Sequence, residues 1–312
     1  MANNSPFLTP ISQFFPIFVL QNKGMLSILI PTRDYTCYQL VADLHNQAEE
    51  LGIPYEILVA EDGSRSQVSI IANHKIEELS HCHHLIRKEN VGRSAIRNVL
   101  IDASKGNVLL LMDADGKVVR KDFLQRYWQA GQTHDVVCGG IQTPNTCHDP
   151  TRTLRWKYEK AYEAQHGCIS EQFRSFCFLI SRQVTDQVRF DERYRHYGFE
   201  DVQFGLDLKA AGYTITSIDN PLGNKDFETN AIFIEKTEEA LRAAFQFRHD
   251  IGEHITLTRI YDKYKAWGWA LRGGFRILRP LLRRNLLSTQ PSLFLFSVYK
   301  LGYYATLKGQ EP

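Results

Sequence analysis

The chain has no stretch that approaches the ~20 consecutive apolar residues a membrane-spanning helix needs. Its best early candidate, FFPIFVL at residues 14–20, is too short and interrupted by proline. It also lacks the basic flank and small-residue cleavage site of a secretion signal. Cysteine is sparse and scattered over Cys37, Cys82, Cys138, Cys147, Cys168 and Cys177, with no paired metal spacing. That excludes a disulfide scaffold and reads as the reduced thiols of a cytosolic protein. Neither sign of charge dominates: 37 Lys and Arg against 35 Asp and Glu leave +2. Bulk charge therefore gives no argument for a nucleic-acid partner, and none is expected. There is no internal repeat and no low-complexity segment. What remains is an ordinary globular composition, 43% hydrophobic and 23% charged, which rules out collagen-like and disordered classes. With 312 residues, the chain holds one large domain or two modest ones.

The first half alternates strand and helix. MLSILIP is an apolar run ended by Pro31, and the helical spacing that follows over Tyr38–Leu51 ends at Gly52. YEILVAEDG then predicts a strand and turn, followed by a helix near residues 67–79 and a polar loop. A second cycle runs through GRSAIRNVLIDASKG, NVLLLMDADG and a helix over residues 121–131. Later elements are a strand at residues 136–141, helices near 153–165 and 201–211, and a strand at 213–218. Repeated strand–helix–strand units imply a mostly parallel sheet flanked by helices, with ligands at the carboxyl ends of its strands. Met25 stands directly before the first strand, so residues 1–24 read as a non-essential extension, residues 25–245 as the catalytic unit and residues 246–312 as a helical end. Detection of an intact 1–24 segment by N-terminal sequencing of the native protein would overturn the first of these boundaries.

The strongest chemical signal is LLLMDADG. Residues two apart on a strand project to one side, so Asp113 and Asp115 leave a buried strand together, just before a glycine turn. Like charges in a poorly hydrated place call for a hard divalent cation; the bland alternative is a solvated turn capping the next helix. Glu61-Asp62-Gly63-Ser64 ends another strand, although Asp and Ser beside Gly are common turn residues. In NVGRSAIRN, Arg93 and Arg97 lie one turn apart near a helix start, a place for a diphosphate or for two solvated arginines. Tyr197-Gly198-Phe199-Glu200-Asp201 places two acids at another helix start, where charge–dipole capping alone would explain them.

Taken in order, Pro31-Thr32-Arg33, EDGS, NVGRSAIRN, DAD and GFED resemble the inverting family-2 glycosyltransferases of GT-A fold. Residues 190–208 also resemble a C-terminal motif of galactosyltransferases, and the likeness extends over residues 26–245. The resemblance implies an α/β GT-A domain with a helical C-terminal extension. It implies transfer from a nucleoside diphosphate sugar, UDP-linked in most relatives, to a saccharide or lipid-linked saccharide hydroxyl in surface polysaccharide or glycolipid assembly. By position, Pro31, Thr32 and Arg33 would line the nucleotide pocket, Asp62 would bind the base, and Arg93 and Arg97 would face the nucleotide. Asp113 would lie near ribose and metal, and Asp115 would ligate Mn2+ or Mg2+. Asp201 would be the general base, with Glu200 binding acceptor or sharing that role. One departure concerns the metal: where relatives often carry histidine, this chain has Asn224, a weaker oxygen ligand. Two alternatives stay open at this stage. A sugar nucleotidyltransferase would release pyrophosphate, and a non-catalytic sugar-nucleotide-binding protein would bind UDP without turnover.

Other features carry less. His81-Cys82-His83-His84 lacks a second half and reads as a polar surface loop rather than a metal site. Gly139-Gly140 allows close backbone approach beside the donor, or simply marks a bulge. Trp156 and Tyr158 would stack on an acceptor sugar or sit in the core. In residues 263–312, nine basic residues oppose only Glu311, giving +8 and leaving −6 for the preceding 262 residues. Tryptophan, leucine and phenylalanine interleave with those charges. Such a stretch implies peripheral contact with an anionic membrane, on the inner face if the protein is cytoplasmic; packed helices with snorkelling arginines are the alternative.

Overall fold

The computed structural model describes residues 24–164 and 173–308. The extension predicted over residues 1–24 and Cys168 therefore lie almost wholly outside the described residues. The first half contains β1 (Leu26–Thr32), α1 (Tyr38–Leu51), β2 (Tyr55–Asp62), α2 (Gln67–His74), β3 (Cys82–Arg87), α3 (Arg93–Ala103) and β4 (Val108–Met112). The middle contains β5 (Gly116–Lys117), α4 (Phe123–Gly131), β6 (Val136–Cys138), β7 (Ile141–Gln142), α5 (Thr153–Tyr158) and β8 (Cys177–Ser181). There follow α6 (Arg182–Thr185), α7 (Glu200–Ala210), β9 (Ile215–Ser217) and β10 (Leu222–Asn224). The chain ends in α8 (Asn230–Gln246), α9 (Arg248–Ile251), α10 (Thr256–Lys263), α11 (Gly268–Leu286) and α12 (Leu293–Lys308).

Seven strands form one sheet in the order β3-β2-β1-β4-β8-β6-β9. The first four run parallel, whereas β8 runs antiparallel to both its neighbours. Strands β1, β2 and β4 are nearly unbroken apolar runs because both faces of the sheet are covered. Val41, Leu44, Phe123 and Leu124 of α1 and α4 close one face; Ile96, Leu100 and Ile101 of α3, with Phe178, Phe190 and Phe204, close the other. The parallel arrangement brings the carboxyl ends of β1, β2 and β4, and hence Thr32, Asp62 and Asp113, to one edge.

Two local expectations are corrected. The HCHH segment is not a polar loop: Cys82 begins edge strand β3, and buried His84 meets Glu61 at 3.1 Å. The strand expected over residues 136–141 is two strands in two sheets: β6 belongs to the large one, while β7 joins β5 and β10 in a sheet ordered β5-β10-β7. Gly139 lies at the break, and a Cβ there would stand 2.1 Å from the Asn220 carbonyl oxygen and 2.4 Å from the Tyr127 hydroxyl. Gly139 thus answers to close packing in the core, whereas Gly140 has open space around it and answers to its positive φ of 85°. Gly139→Ala is expected to lower stability by about 1–3 kcal/mol through overpacking. An unchanged urea midpoint would contradict that.

The C-terminal helices share a core with the body. Phe275, Leu282 and Leu286 of α11 and Phe296 and Tyr299 of α12 pack on Leu154 of α5 and on Phe233 and Ile234 of α8. Gly302 lets α11 and α12 approach closely, since a Cβ there would meet the Phe275 ring at 2.3 Å. Tyr158 belongs to this packing, with its ring 5.6 Å from both Phe233 and Phe296. Among the described residues, no helix is long and apolar enough to cross a membrane.

Candidate active site

Arg93 and Arg97 follow the left-handed turn at Gly92 (φ 95°), one helical turn apart on α3. Neither is a solvated arginine. Arg93 reaches Asp113 at 3.1 Å and Glu200 at 2.7 Å, while Arg97 reaches Asp113 at 2.8 Å and Glu200 at 3.5 Å. The Arg97 side chain is only 2% exposed. Two cations and two carboxylates from three separate elements thus form one closed lattice. It joins the end of β4 to the start of α7. Burial opposes ionisation of Glu200, but Arg93 and Arg97 outweigh it and hold its carboxyl below the ordinary range. Glu200, expected to bind acceptor or share the base role, is committed to this lattice.

Asp201 is placed differently. It is the second residue of α7, whose start follows Gly198 (φ 116°) and Phe199 (φ 66°). A non-glycine residue in the left-handed region costs energy and persists only where its surroundings enforce it. Gly198 has no alternative, because a Cβ there would lie 2.5 Å from that of Ala240. Burial, and then the charge of Glu200, push the Asp201 carboxyl up to about 7, against the pull of Arg174, the Val202 amide and Arg93. Asp201, Glu200, Arg93 and Asp113 all line one cleft of ≈430 Å3. It is lined as well by Ile255, by Leu257 of α10 and by Phe296 and Lys300 of α12.

Asp115 lies beyond Asp113 at the glycine turn. Burial first, then the charges of Asp113 and Glu228, push its carboxyl up to about 7, against Arg93. Pairing of β10 with β5 sets Asn224 opposite Gly116, and the Lys225 amide donates to the Asp115 carbonyl at 3.2 Å. Asn224 therefore stands beside the DAD turn. Its Oδ1 is buried and, among the described residues, has no hydrogen-bond partner. A crowded carboxylate and an orphaned amide oxygen fit a hard cation. No three His, Cys, Asp or Glu side chains gather into a cage among the described residues, so diphosphate oxygens or water would have to complete the shell.

The remaining predicted residues surround this region. Pro31 is half-buried, Thr32 buried and Arg33 exposed at the end of β1. The Asp62 carboxylate accepts from Asn90 Nδ2 (2.6 Å), the Val91 amide (2.8 Å) and the Gly92 amide (3.2 Å), bracing the turn that launches α3. Tyr197, absent from the predicted set, lies under the Arg93 guanidinium at 5.4 Å; the aromatic just before GFED was the available signal. Glu159, also absent from it, donates nothing to local pattern, because its partners lie at Thr143, Arg155 and Asn224.

Comparison with known proteins places the fold and the family. The chain is 26% identical over 238 residues, 64% of its length, to a chondroitin synthase of Pasteurella multocida (strain Pm70). It spans about a quarter, 24%, of that relative. A mannosyltransferase from Pyrobaculum calidifontis, solved with GDP-Man and Mn2+, superposes with a TM-score of 0.55 at 13% identity over 94% of this chain and 89% of that one. TarS 1-349 of S. aureus, solved with UDP, gives 0.50 at 15% identity over 92% of both. These likenesses establish the GT-A fold. The family model for glycosyl transferase family 2 matches residues 27–189, more than half of the chain, and with the site assembled at its strand ends the protein is a member of that family.

Proposed function

We propose that this chain is a metal-dependent inverting glycosyltransferase. It would move a sugar from a nucleoside diphosphate donor, with UDP preferred, to a hydroxyl of a saccharide or lipid-linked saccharide in polysaccharide or glycolipid assembly. One observation carries the reading: Asp201 and Asp113, the first residue of DAD, line one cleft and are joined through the Arg93–Glu200–Arg97–Asp113 lattice. Thr32, Pro31 and Arg33 would flank the nucleoside, and Asp62 would hold the Asn90–Gly92 turn against it. Asp115, Asp113 and Asn224 would hold Mn2+ or Mg2+, which when bound offsets charge on a departing diphosphate. Asp201 would take the acceptor proton as the hydroxyl attacks the anomeric carbon from the face opposite the leaving group. A single base serves such a displacement, with no covalent glycosyl intermediate. Arg93 and Arg97 would fix the angle between donor and base.

A donor screen that detects released nucleoside diphosphate tests the assignment. UDP release that depends on added Mn2+ is expected, and pyrophosphate as product would overturn it. Asp115→Ala is expected to abolish turnover while leaving the urea midpoint near that of the parent. Full activity in that variant would remove Asp115 from the site.

We also infer that the C-terminal helices rest peripherally on an anionic membrane, on the inner face of a cytoplasmic enzyme. Support comes from α11. Phe275, Leu282 and Leu286 turn inward, so helical spacing sends Ile277, Leu281 and Arg284 outward, and Ile277 is 77% exposed. Trp267, Trp269 and Phe294 are exposed as well. Arg279 lies 3.2 Å and Arg283 3.9 Å from Glu238 on α8. Residues 263–308 contain no acid to repel lipid phosphate. In flotation, the full chain is expected to rise with phosphatidylglycerol vesicles but not with phosphatidylcholine alone. A Trp269→Ser/Ile277→Ser/Leu281→Ser variant should stay behind, and equal flotation of both proteins would overturn the inference.

A further inference from the structure

Glu159 opens a single π-helical turn, Glu159–Glu163, at the end of α5. Such turns recur at functional sites because they push one side chain out of helical register. Here the displaced group is a carboxylate whose side chain is 1% exposed. Three donors converge on it: Thr143 Oγ1 at 2.7 Å on Oε1, with Arg155 Nη2 at 3.1 Å and Asn224 Nδ2 at 2.6 Å on Oε2.

A carboxamide presents two nearly identical ends, and which way it faces is decided by its partners. An ion-paired carboxylate only accepts, so Asn224 must give Glu159 its nitrogen. Its oxygen is thereby turned away from Glu159. That oxygen is one of the buried side-chain atoms without a hydrogen-bond partner among the described residues, and the β10–β5 register sets the Asn224 backbone opposite Gly116, next to the DAD turn. A buried unsatisfied oxygen costs stability unless something else uses it.

We propose that Glu159 is a positioning residue that locks the Asn224 carboxamide so that Oδ1 is offered to the cation at Asp115. This rests on the reading of Asn224 as a cation ligand. A histidine ligand is oriented by the partner of its second ring nitrogen; in this chain a buried carboxylate does the same for an amide. The resulting donor set is all oxygen and suits hard cations such as Mg2+ and Mn2+.

The test is Mn2+ titration of the full chain with UDP present, following free Mn2+ by electron paramagnetic resonance. Asn224→Ala and Glu159→Gln should each weaken Mn2+ binding about 10-fold, a loss characteristic of groups that orient a ligand. The double variant should bind no more weakly than Asn224→Ala alone, because the two residues act through one atom. Glu159→Asp, which keeps the charge but shortens its reach, should behave like Glu159→Gln and carries the test if that variant fails to fold. Unchanged Mn2+ affinity in both Glu159 variants, with Asn224→Ala weakened, would overturn the positioning role and leave Asn224 as ligand. Additive losses in the double variant would reduce Glu159 to a structural residue. Unchanged affinity in Asn224→Ala would remove both assignments.

Discussion

Asp201→Asn is expected to lower turnover on the order of 10^3-fold while leaving the protein folded, because a positioned general base contributes on that scale. The groups facing Asp201 are Glu200, which raises its proton affinity, and Arg174, the Val202 amide and Arg93, which lower it. Burial and Glu200 prevail, and the carboxyl titrates near 7. A base must be unprotonated to act, so activity should fall as pH drops through about 7. The same shift has an opposite consequence for stability. A carboxyl whose folded pKa is raised binds its proton more tightly when folded, so folding loses stability as pH rises from the unfolded value toward the folded one. The penalty is absent below the ordinary carboxylate range and complete above about 7. Asp201→Asn removes it, so this inactive variant should melt higher than the parent at pH 8, with the gap closing at pH 4. Full activity with an unchanged acid limb would take the base role from Asp201. Equal melting at both pH values would show that its charge is not penalised.

Arg97→Met should cost about 3 kcal/mol of stability, the lower end of what removing one partner of a buried ion pair costs. Its side chain is 2% exposed and faces Asp113 and Glu200 together, so methionine would fill the volume but abandon two carboxylates. The loss stays at the lower end because Arg93 still contacts both acids and Asp113 is 22% exposed. Urea denaturation measures it, and a loss below about 1 kcal/mol would mean that Arg93 alone carries the lattice. Lysine should not rescue fully, since a single ammonium lacks the planar fork that spans two carboxylates.

Much of the fold was legible because its central strands are buried on both faces and therefore read as continuous apolar runs. Strand β3 was not: at the sheet edge only Cys82 and His84 turn fully inward, and CHHLIR reads as polar. The break between β6 and β7 was equally hidden, since Gly139 answers to Asn220 about eighty residues later rather than to its neighbours. Among site residues, the acids at strand and helix ends were visible from position alone. What the sequence could not tell apart were Glu200 and Asp201, adjacent in GFED and opposite in electrostatic fate. Their difference is made by two arginines roughly a hundred residues away. Glu159 left no pattern at all, because a residue defined by Thr143, Arg155 and Asn224 has no local signature.

The cleft that receives Asp201 is lined also by Phe296 and Lys300, residues of the last described helix. That helix and α11 also seal Phe233, Ile234 and Leu241 on α8. We propose that a cut behind α8 would fall within a shared core rather than at a seam. A fragment ending near residue 245 would lose a wall of its reaction chamber and lay bare an apolar flank together. Modular exchange in this protein is better sought at the strand-end loops than at its carboxyl terminus.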